Sequence, residues 1–491
     1  MINDFSKIDY KFCTIISLLS ILYIDYFAKN AIGYIITLAI FIYLIYYSFK
    51  NLLNSFKIFI ILFTVLPPFP RNILDVYEHI QVTHTISYNV ITGMPFIGMS
   101  MVQWLTLFYI LMFIVEIINH KISFSKSYLN LFLFIIILPL TISAIQFLLA
   151  PENFLFREVI TGIRFPIYLL LGLLFYIRYK SKINQIGQFL VEVLIASSII
   201  FCVRVPFFLI LSMFENTPSL DLGVVPHIPL AVMFSLFLMP HKTKGMIYTM
   251  GVCIFSLLSP SRGQIFMFFV LVLLYLWISK FKLSKIKHIL SLAFIGFFVI
   301  MSMTLFNDRL YEFFLWKLSE FSPSSEGISE SGLVRVYEFL NITDSIRTNI
   351  ISFLFGSGLS GYFTFDAYPF PFPEHLDLKS YQDFELAKGI YYHPHFFINI
   401  VLLKFGLIGL CAYIGFILSY FNTCRKKYYI AQDNASFLLS FGFFFAISLL
   451  LDMHFRGYYA VLFPILFLYT SNIYVNIKSR NKLVKFHEQS V

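Results

Sequence analysis

The sequence predicts an all-α polytopic membrane protein, and three observations carry that prediction. The chain of 491 residues is 59% hydrophobic, 19% aromatic and only 13% charged, with a mean hydropathy of +0.80. Soluble domains hold roughly 45–50% apolar and about 25% charged residues, so this much Phe, Tyr, Ile and Leu needs lipid as its solvent. The apolar residues also form long continuous runs, whereas membrane β-strands would alternate polar and apolar residues in short segments. Finally, Lys and Arg collect in alternate loops between the runs, as they do in helical membrane proteins.

Taken in order, about fourteen segments read as spans: roughly 12–27, 31–48, 57–70, 96–118, 128–149, 160–178, 188–213, 225–240, 245–258, 264–279, 286–306, 395–422, 433–451 and 456–474. A crossing needs roughly 20 apolar residues, so 57–70, 225–240 and 245–258 are short, and twelve or thirteen crossings also fit. One alternating set of loops holds Lys7 and Lys11; Lys50 and Lys57; Lys121 and Lys126; Arg178, Lys180 and Lys182; Lys242 and Lys244; Lys280, Lys282, Lys285 and Lys287; Arg425, Lys426 and Lys427; and Lys478, Arg480, Lys482 and Lys485. The opposite short loops hold one basic residue or none: Lys29, Arg71, Arg157, Arg262 and Arg456. This alternation places both termini in the cytoplasm and requires an even number of spans.

Other features narrow the class. Residues 1–11 are polar and no small-residue cleavage site follows the first long run, so that run is expected to stay as a span. No internal repeat of a transporter kind is visible. The net charge is +10, but no basic stripe interleaved with aromatics appears, so nucleic acid is not an expected partner. The five cysteines lie in apolar runs or beside a basic loop, which implies no disulfide framework.

One segment breaks the pattern and divides the chain into residues 1–306 (spans 1–11), 307–394 and 395–491 (spans 12–14 and tail). The 88-residue insertion 307–394 falls on the outer side and holds 12 of the 26 acidic residues with six basic ones. Loops this long and polar are usually functional. Gly332 to Ser345 reads as an amphipathic helix with Leu333, Val336, Tyr337 and Leu340 on one face and Arg335 and Glu338 near another. Phe355-Gly356-Ser357-Gly358 marks a tight turn. The stretch from Phe365 to Pro373, with Tyr368 and Phe370, is expected either to stack on sugar rings or to form a lid packed on its own aromatics.

Several polar residues gather on the outer side. Ser261-Arg262-Gly263 puts an arginine at a turn between spans, as an interfacial anchor or a ligand-binding group. Arg335, Arg347 and Arg309 read as surface charges or, if two or three face one cavity, as bidentate binders of an anionic lipid head. His393-Pro394-His395 ends the insertion where the next span starts, and a helix N-terminus favours the neutral imidazole a general base needs. Capping is the rival role. No H-E-x-x-H or C-x-x-C accompanies the pair, so no metal and no cofactor are expected. Arg164, Arg204, Glu192 and Lys404 fall within spans, where charges usually face a cavity or a partner. Arg164 and Arg204 lie about 6 Å and about 14 Å below the outer ends of their spans, in reach of an outward-opening pocket. Lys404 follows His395 by two and a half turns, on the other side of the helix. No P-loop, dinucleotide fingerprint or nucleophile elbow is present.

Together these motifs resemble the O-antigen polymerase and O-antigen ligase superfamily of bacterial envelope polysaccharide assembly. Ser261-Arg262-Gly263 opens a span two spans before the large outer loop. Arg335 begins a helix running through Ile346 to Phe355-Gly356-Ser357-Gly358-Leu359, similar to the family's arginine helix and Gly-x-Gly turn. His395-Phe396-Phe397-Ile398-Asn399 precedes Lys404-Phe405-Gly406-Leu407-Ile408-Gly409, resembling the family's His-Asn-x-x-Leu and Gly-x-x-Gly. The match covers about residues 255–420. Phe396 stands where the family often has Asn or Ser, so the functional histidine is His395 or His393.

The resemblance implies a GT-C-like membrane glycosyltransferase, most like an O-antigen polymerase, in the bacterial inner membrane with the large loop periplasmic. Its substrates would be oligosaccharides and polysaccharides on undecaprenyl diphosphate, and a chain-length regulator is a further implied partner. Arg262 and Arg335 would clamp the diphosphate, and His395 would orient or deprotonate the attacking hydroxyl. Arg164, Arg204, Arg347, His393, Tyr337, Glu338, Tyr368 and Phe370 are the expected substrate-binding residues. The ligase, which moves finished glycan onto lipid A-core or another acceptor, is the nearest alternative. A polysaccharide or lipid-linked glycan transporter is an alternative of another class, disfavoured by the asymmetric outer loop.

Overall fold

A computed structural model describes residues 10–22, 31–65, 100–123, 137, 140–148, 151, 154–214, 227–238, 262–279, 286, 290, 330–371, 381, 383–429, 433–451 and 460–473. Among them the chain is helical. Its helices are α1 (Tyr10–Leu22), α2 (Ala31–Lys50), α3 (Leu52–Val65), α4 (Met101–Asn119), α5 (Phe156–Tyr179), α6 (Ile183–Phe214), α7 (His227–Leu238), α8 (Arg262–Ile278), α9 (Glu330–Arg347), α10 (Ile350–Phe355), α11 (Asp383–Lys388), α12 (Phe397–Tyr428) and α13 (Asp433–Leu451). A further helix, α14, spans Ala460–Ile473. Residues 140–148 are also helical, and one antiparallel bridge joins Phe363 to Tyr391.

Among the described residues, three helical stretches are long and apolar enough to cross a membrane: Met101–Asn119, Glu158–Ile200 and Phe397–Tyr428. Six shorter apolar helices accompany them. The chain is therefore a multi-pass helical membrane protein. Its lipid-facing sides are visible as apolar stripes left uncovered: Ile35, Leu38, Ile42, Tyr46 and Phe49 on α2, and Leu111, Ile114, Val115 and Ile118 on α4. Such contiguous apolar surface is rare on a soluble monomer. The expected spans 245–258 and 286–306 lie outside the described residues apart from 286 and 290, as do residues 307–329 of the insertion, including Arg309.

Local chemistry explains the helix ends. Ser100 accepts from the Gln103 amide while the Gln103 side chain accepts from the Ser100 amide, a reciprocal capping box that starts α4. A 3₁₀ turn over Lys180–Lys182 joins α5 to α6. α12 is broken at Gly406, whose φ of 65° and ψ of −165° interrupt the helix within its length.

The bundle core is aromatic. Phe56 is fully buried and its ring meets Phe59, Tyr109, Phe113, Phe175 and Phe189 with centroids 5.0–6.1 Å apart. Beside it, Lys57 forms an ion pair with the buried Glu192, which also accepts from Gln188 at 2.8 Å. This corrects the placement of Lys57 in a loop: it lies inside α3 and neutralises Glu192 of α6, the partner that an intramembrane carboxylate requires. Arg178 similarly pairs with Glu116 of α4 at 2.7 Å.

Within the insertion, α9 and α10 both pack on α12, and α12 packs on α13. The buried face of α9 is Val334, Glu338, Asn341, Ile342 and Ile346, while Val336 is exposed. The apolar face expected over Leu333, Val336, Tyr337 and Leu340 is thus rotated. The reason is chemical: two polar side chains, Glu338 and Asn341, face inward because partners there satisfy them, and a count of apolar residues assigns them outward.

Candidate functional site

Glu338 is fully buried, and its carboxylate accepts from donors on three segments. The His395 amide donates to both oxygens at 3.0 Å, and His395 Nδ1–H donates to Oε1 at 2.6 Å. The Tyr381 hydroxyl donates to Oε1 at 2.7 Å, and Asn399 Nδ2 donates to Oε2 at 3.3 Å. The Tyr381 ring also meets the imidazole edge-on, with centroids 4.9 Å apart. Burial and the Glu338 charge push the Tyr381 phenol far up, so it stays a donor. Helix α12 has no side-chain cap at Phe396, so Glu338 supplies negative charge at its N-terminus. With Nδ1–H committed to Glu338, the imidazole in its neutral form presents its lone pair at Nε2, a buried atom with no hydrogen-bond partner. This is the orientation logic of a carboxylate and histidine pair in acid-base catalysis.

The insertion closes around this pair. Asn341, one turn after Glu338, donates to the Tyr368 carbonyl at 2.8 Å and accepts from the Tyr368 amide at 2.9 Å, so the aromatic stretch is tied to α9. Phe370 is buried, edge-on to Tyr337 at 5.7 Å and 6.1 Å from Phe365. Of the two expectations for this stretch, packing on its own aromatics is the one seen for Phe370 and Tyr337. Tyr368 alone of the three keeps an exposed ring.

His393 belongs to a second cluster. Its Nε2 meets Glu158 of α5 at 2.8 Å and its Nδ1 meets Glu385 of α11 at 3.2 Å. Burial works against its charge, but the contacts with Glu158 and Glu385 override it and hold the imidazole above its ordinary range. This corrects the neutral histidine expected from the helix end: two carboxylates outweigh the dipole. Both ring nitrogens are occupied: Nε2 ties the insertion to α5, and Nδ1 meets Glu385 within the insertion.

The glycine motifs explain how the site keeps its register. Gly356 and Gly358 adopt φ of 79° and 74°, and a Cβ on Gly356 would stand 2.5 Å from the Lys404 carbonyl carbon and the Phe405 nitrogen. A Cβ on Gly406 would in turn overlap the Gly356 nitrogen. The two glycines are thus pressed backbone to backbone where α12 breaks. Ser357 N–H donates to the Leu403 carbonyl at 2.7 Å, and Lys404 Nζ donates to the carbonyls of Leu359 and Gly361 at 2.9 and 2.7 Å. Leu359 N–H donates to Ser143 Oγ at 2.7 Å, and Leu155 N–H to Ser360 Oγ at 2.8 Å. One continuous segment, α9 to the turn, therefore grips α12 twice: at His395 and Asn399, and again at Leu403 to Gly406.

No protein-family model matches the chain, and no curated protein matches it. The site therefore stands on its own geometry.

The other expected residues divide by position. Arg335 is exposed on α9 one turn before Glu338, and its carbonyl accepts from Asn399 Nδ2 at 3.1 Å, so its main chain adjoins the site. Arg347 does not join it: nine residues on from Glu338, about 14 Å along the helix, it pairs with Asp344 at 2.7 Å on an exposed surface. Arg164 lies in α5 with a buried Nε that has no partner. Arg262 opens α8 and Arg204 lies in α6, but both side chains are outside the described residues. Among the described residues no group of His, Cys, Asp and Glu is arranged to hold a metal ion. The sequence motifs include Asn399 without a role for it, and they leave out Tyr381, Glu158 and Glu385. Asn399 sits one turn after His395, a spacing that could have flagged it; the others join the site only through long-range folding.

Proposed function

We propose that the chain is a membrane glycosyltransferase of the O-antigen polymerase kind, with a GT-C-like bundle of about fourteen spans in the bacterial inner membrane and its insertion facing the periplasm. The observation that carries the reading is the Glu338–His395 pair with its unpartnered Nε2, formed where the insertion meets α12 of a membrane protein. The charge alternation supports the orientation. The motif resemblance supports the substrate class.

In this reading, the growing glycan is held by its reducing-end sugar on undecaprenyl diphosphate. A hydroxyl at the non-reducing end of the next lipid-linked repeat attacks the anomeric carbon. The new glycosidic C–O bond forms as the bond from the anomeric carbon to the phosphate oxygen breaks. His395 Nε2 takes the hydroxyl proton, while Glu338 holds the imidazole and faces the imidazolium that results. The departing diphosphate keeps the bonding electrons, and Arg335 and Arg262 offset its charge. Tyr368, an exposed aromatic of the insertion, lies against glycan.

Purified protein in liposomes, given only defined undecaprenyl-diphosphate-linked repeats and no energy source, tests this. The expected product is a ladder of lengthened lipid-linked glycans. Arg262→Ala and Arg335→Ala are each expected to lower its formation by about 10²- to 10³-fold. Wild-type lengths in both variants would remove the clamp. Transfer only to lipid A-core would make the protein a ligase, and movement of glycan across the bilayer without transfer would make it a transporter.

A further inference from the structure

Asn399 is 1% exposed, and the orientation of its amide is forced. Nδ2 faces two oxygens, the Arg335 carbonyl at 3.1 Å and Glu338 Oε2 at 3.3 Å, and turning the amide over would set oxygen against oxygen. Oδ1 therefore points away from both, and it is buried with no hydrogen-bond partner. His395 obeys the same logic. Its Nδ1–H is spent on Glu338, which in the neutral ring leaves Nε2 as an acceptor, also buried and unpartnered. One carboxylate thus orients two side chains, one helical turn apart in sequence, so that each presents an acceptor. Leaving a buried acceptor unsatisfied costs about 1–3 kcal/mol, so two together call for an occupant.

The chemistry of that occupant follows from the signs. Two acceptors repel a phosphate or carboxylate, which brings no protons of its own at neutral pH. They suit a ligand that brings two donors side by side, as adjacent hydroxyls of a sugar ring do. Resting on the glycosyltransferase reading above, we propose that His395 Nε2 and Asn399 Oδ1 form an acceptor-only subsite for two adjacent hydroxyls of the incoming sugar. His395 meets the hydroxyl that reacts, and Asn399 meets the one beside it. Asn399 is then a residue that selects and orients the acceptor sugar, and Glu338 positions both side chains. The diphosphate sits elsewhere, toward the arginines.

The test pairs a change in the protein with a change in the substrate. Transfer by the reconstituted protein is measured with two synthetic lipid-linked acceptors, one complete and one lacking the hydroxyl beside the nucleophile. The wild type is expected to prefer the complete acceptor about tenfold in kcat/KM, as one hydrogen bond allows. In Asn399→Leu, and in the smaller Asn399→Ala run beside it, that preference is expected to fall to about onefold whatever the absolute rate. A purely structural role, or a site filled only by water, would lower both rates equally and leave the tenfold ratio standing, which overturns the subsite. A wild type indifferent to the missing hydroxyl overturns it too. If the wild type transfers neither acceptor, the glycosyltransferase reading itself has failed, which is a separate result.

Discussion

Glu338 accepts from a backbone amide, an imidazole, a phenol and a carboxamide at once, so changing its charge while keeping its shape isolates what the charge does. Glu338→Gln retains one oxygen for these donors but puts an NH₂ where an acceptor stood. It is expected to leave the protein folded in the membrane and to lower kcat by about 10²- to 10⁴-fold, the range for general acid-base assistance. A normal kcat in single-turnover transfer would strip the pair of its role. His393 has a different role, because Glu158 and Glu385 favour its charged form. Its folded pKa is raised, so the stabilisation it contributes is complete below the unfolded value of about 6.5 and is lost as pH rises through the folded value. Glu158, Glu385 and Lys404 are the charged groups around it. His393→Gln is expected to cost about 2 kcal/mol at pH 6, in line with hydrogen bonds to charged groups, and to flatten this pH dependence. Thermal melting in detergent between pH 6 and 9 reads both effects.

At the scale of elements, the turn at Gly356 and the break at Gly406 form one joint. Gly406→Ala combines a φ of 65° with an overlap on the Gly356 nitrogen, so α12 or the turn must shift. Such a shift moves His395 against Glu338, and a misplacement of about 1 Å can cost 10²-fold in rate. The expected result for Gly406→Ala is transfer reduced by about that factor, with helical content unchanged by circular dichroism. The motifs on both sides of this joint are legible in the sequence, as is each apolar run that becomes a helix, because both are local patterns. Their meeting is not: Gly356 and Gly406 lie fifty positions apart, and no periodicity pairs them. The inward face of α9 is hidden for a related reason. Glu338 and Asn341 turn inward because Tyr381, His395 and Tyr368 arrive from later in the chain to satisfy them.

Across the whole molecule, the site rests on a bundle that carries its own buried charges. Lys57 and Glu192 join α3 to α6 across 135 positions of sequence. Removing one partner leaves the other charged and buried, which typically costs about 3–5 kcal/mol, while an apolar pair of similar volume restores much of that. Glu192→Gln is therefore expected to melt well below wild type, and Lys57→Met with Glu192→Leu to recover most of the difference. Equal melting of all three would show the pair to be inert. The exposed stripes on α2 and α4 make lipid the surrounding medium, and within it the insertion and α12 present one acceptor atom on His395 that nothing in the described protein occupies. The transfer rates of His395→Ala and His393→Gln, measured side by side on defined lipid-linked repeats, test this account most directly. It predicts that His395→Ala makes no detectable polymer while folded His393→Gln still elongates the repeats; full activity in His395→Ala with loss in His393→Gln would contradict it.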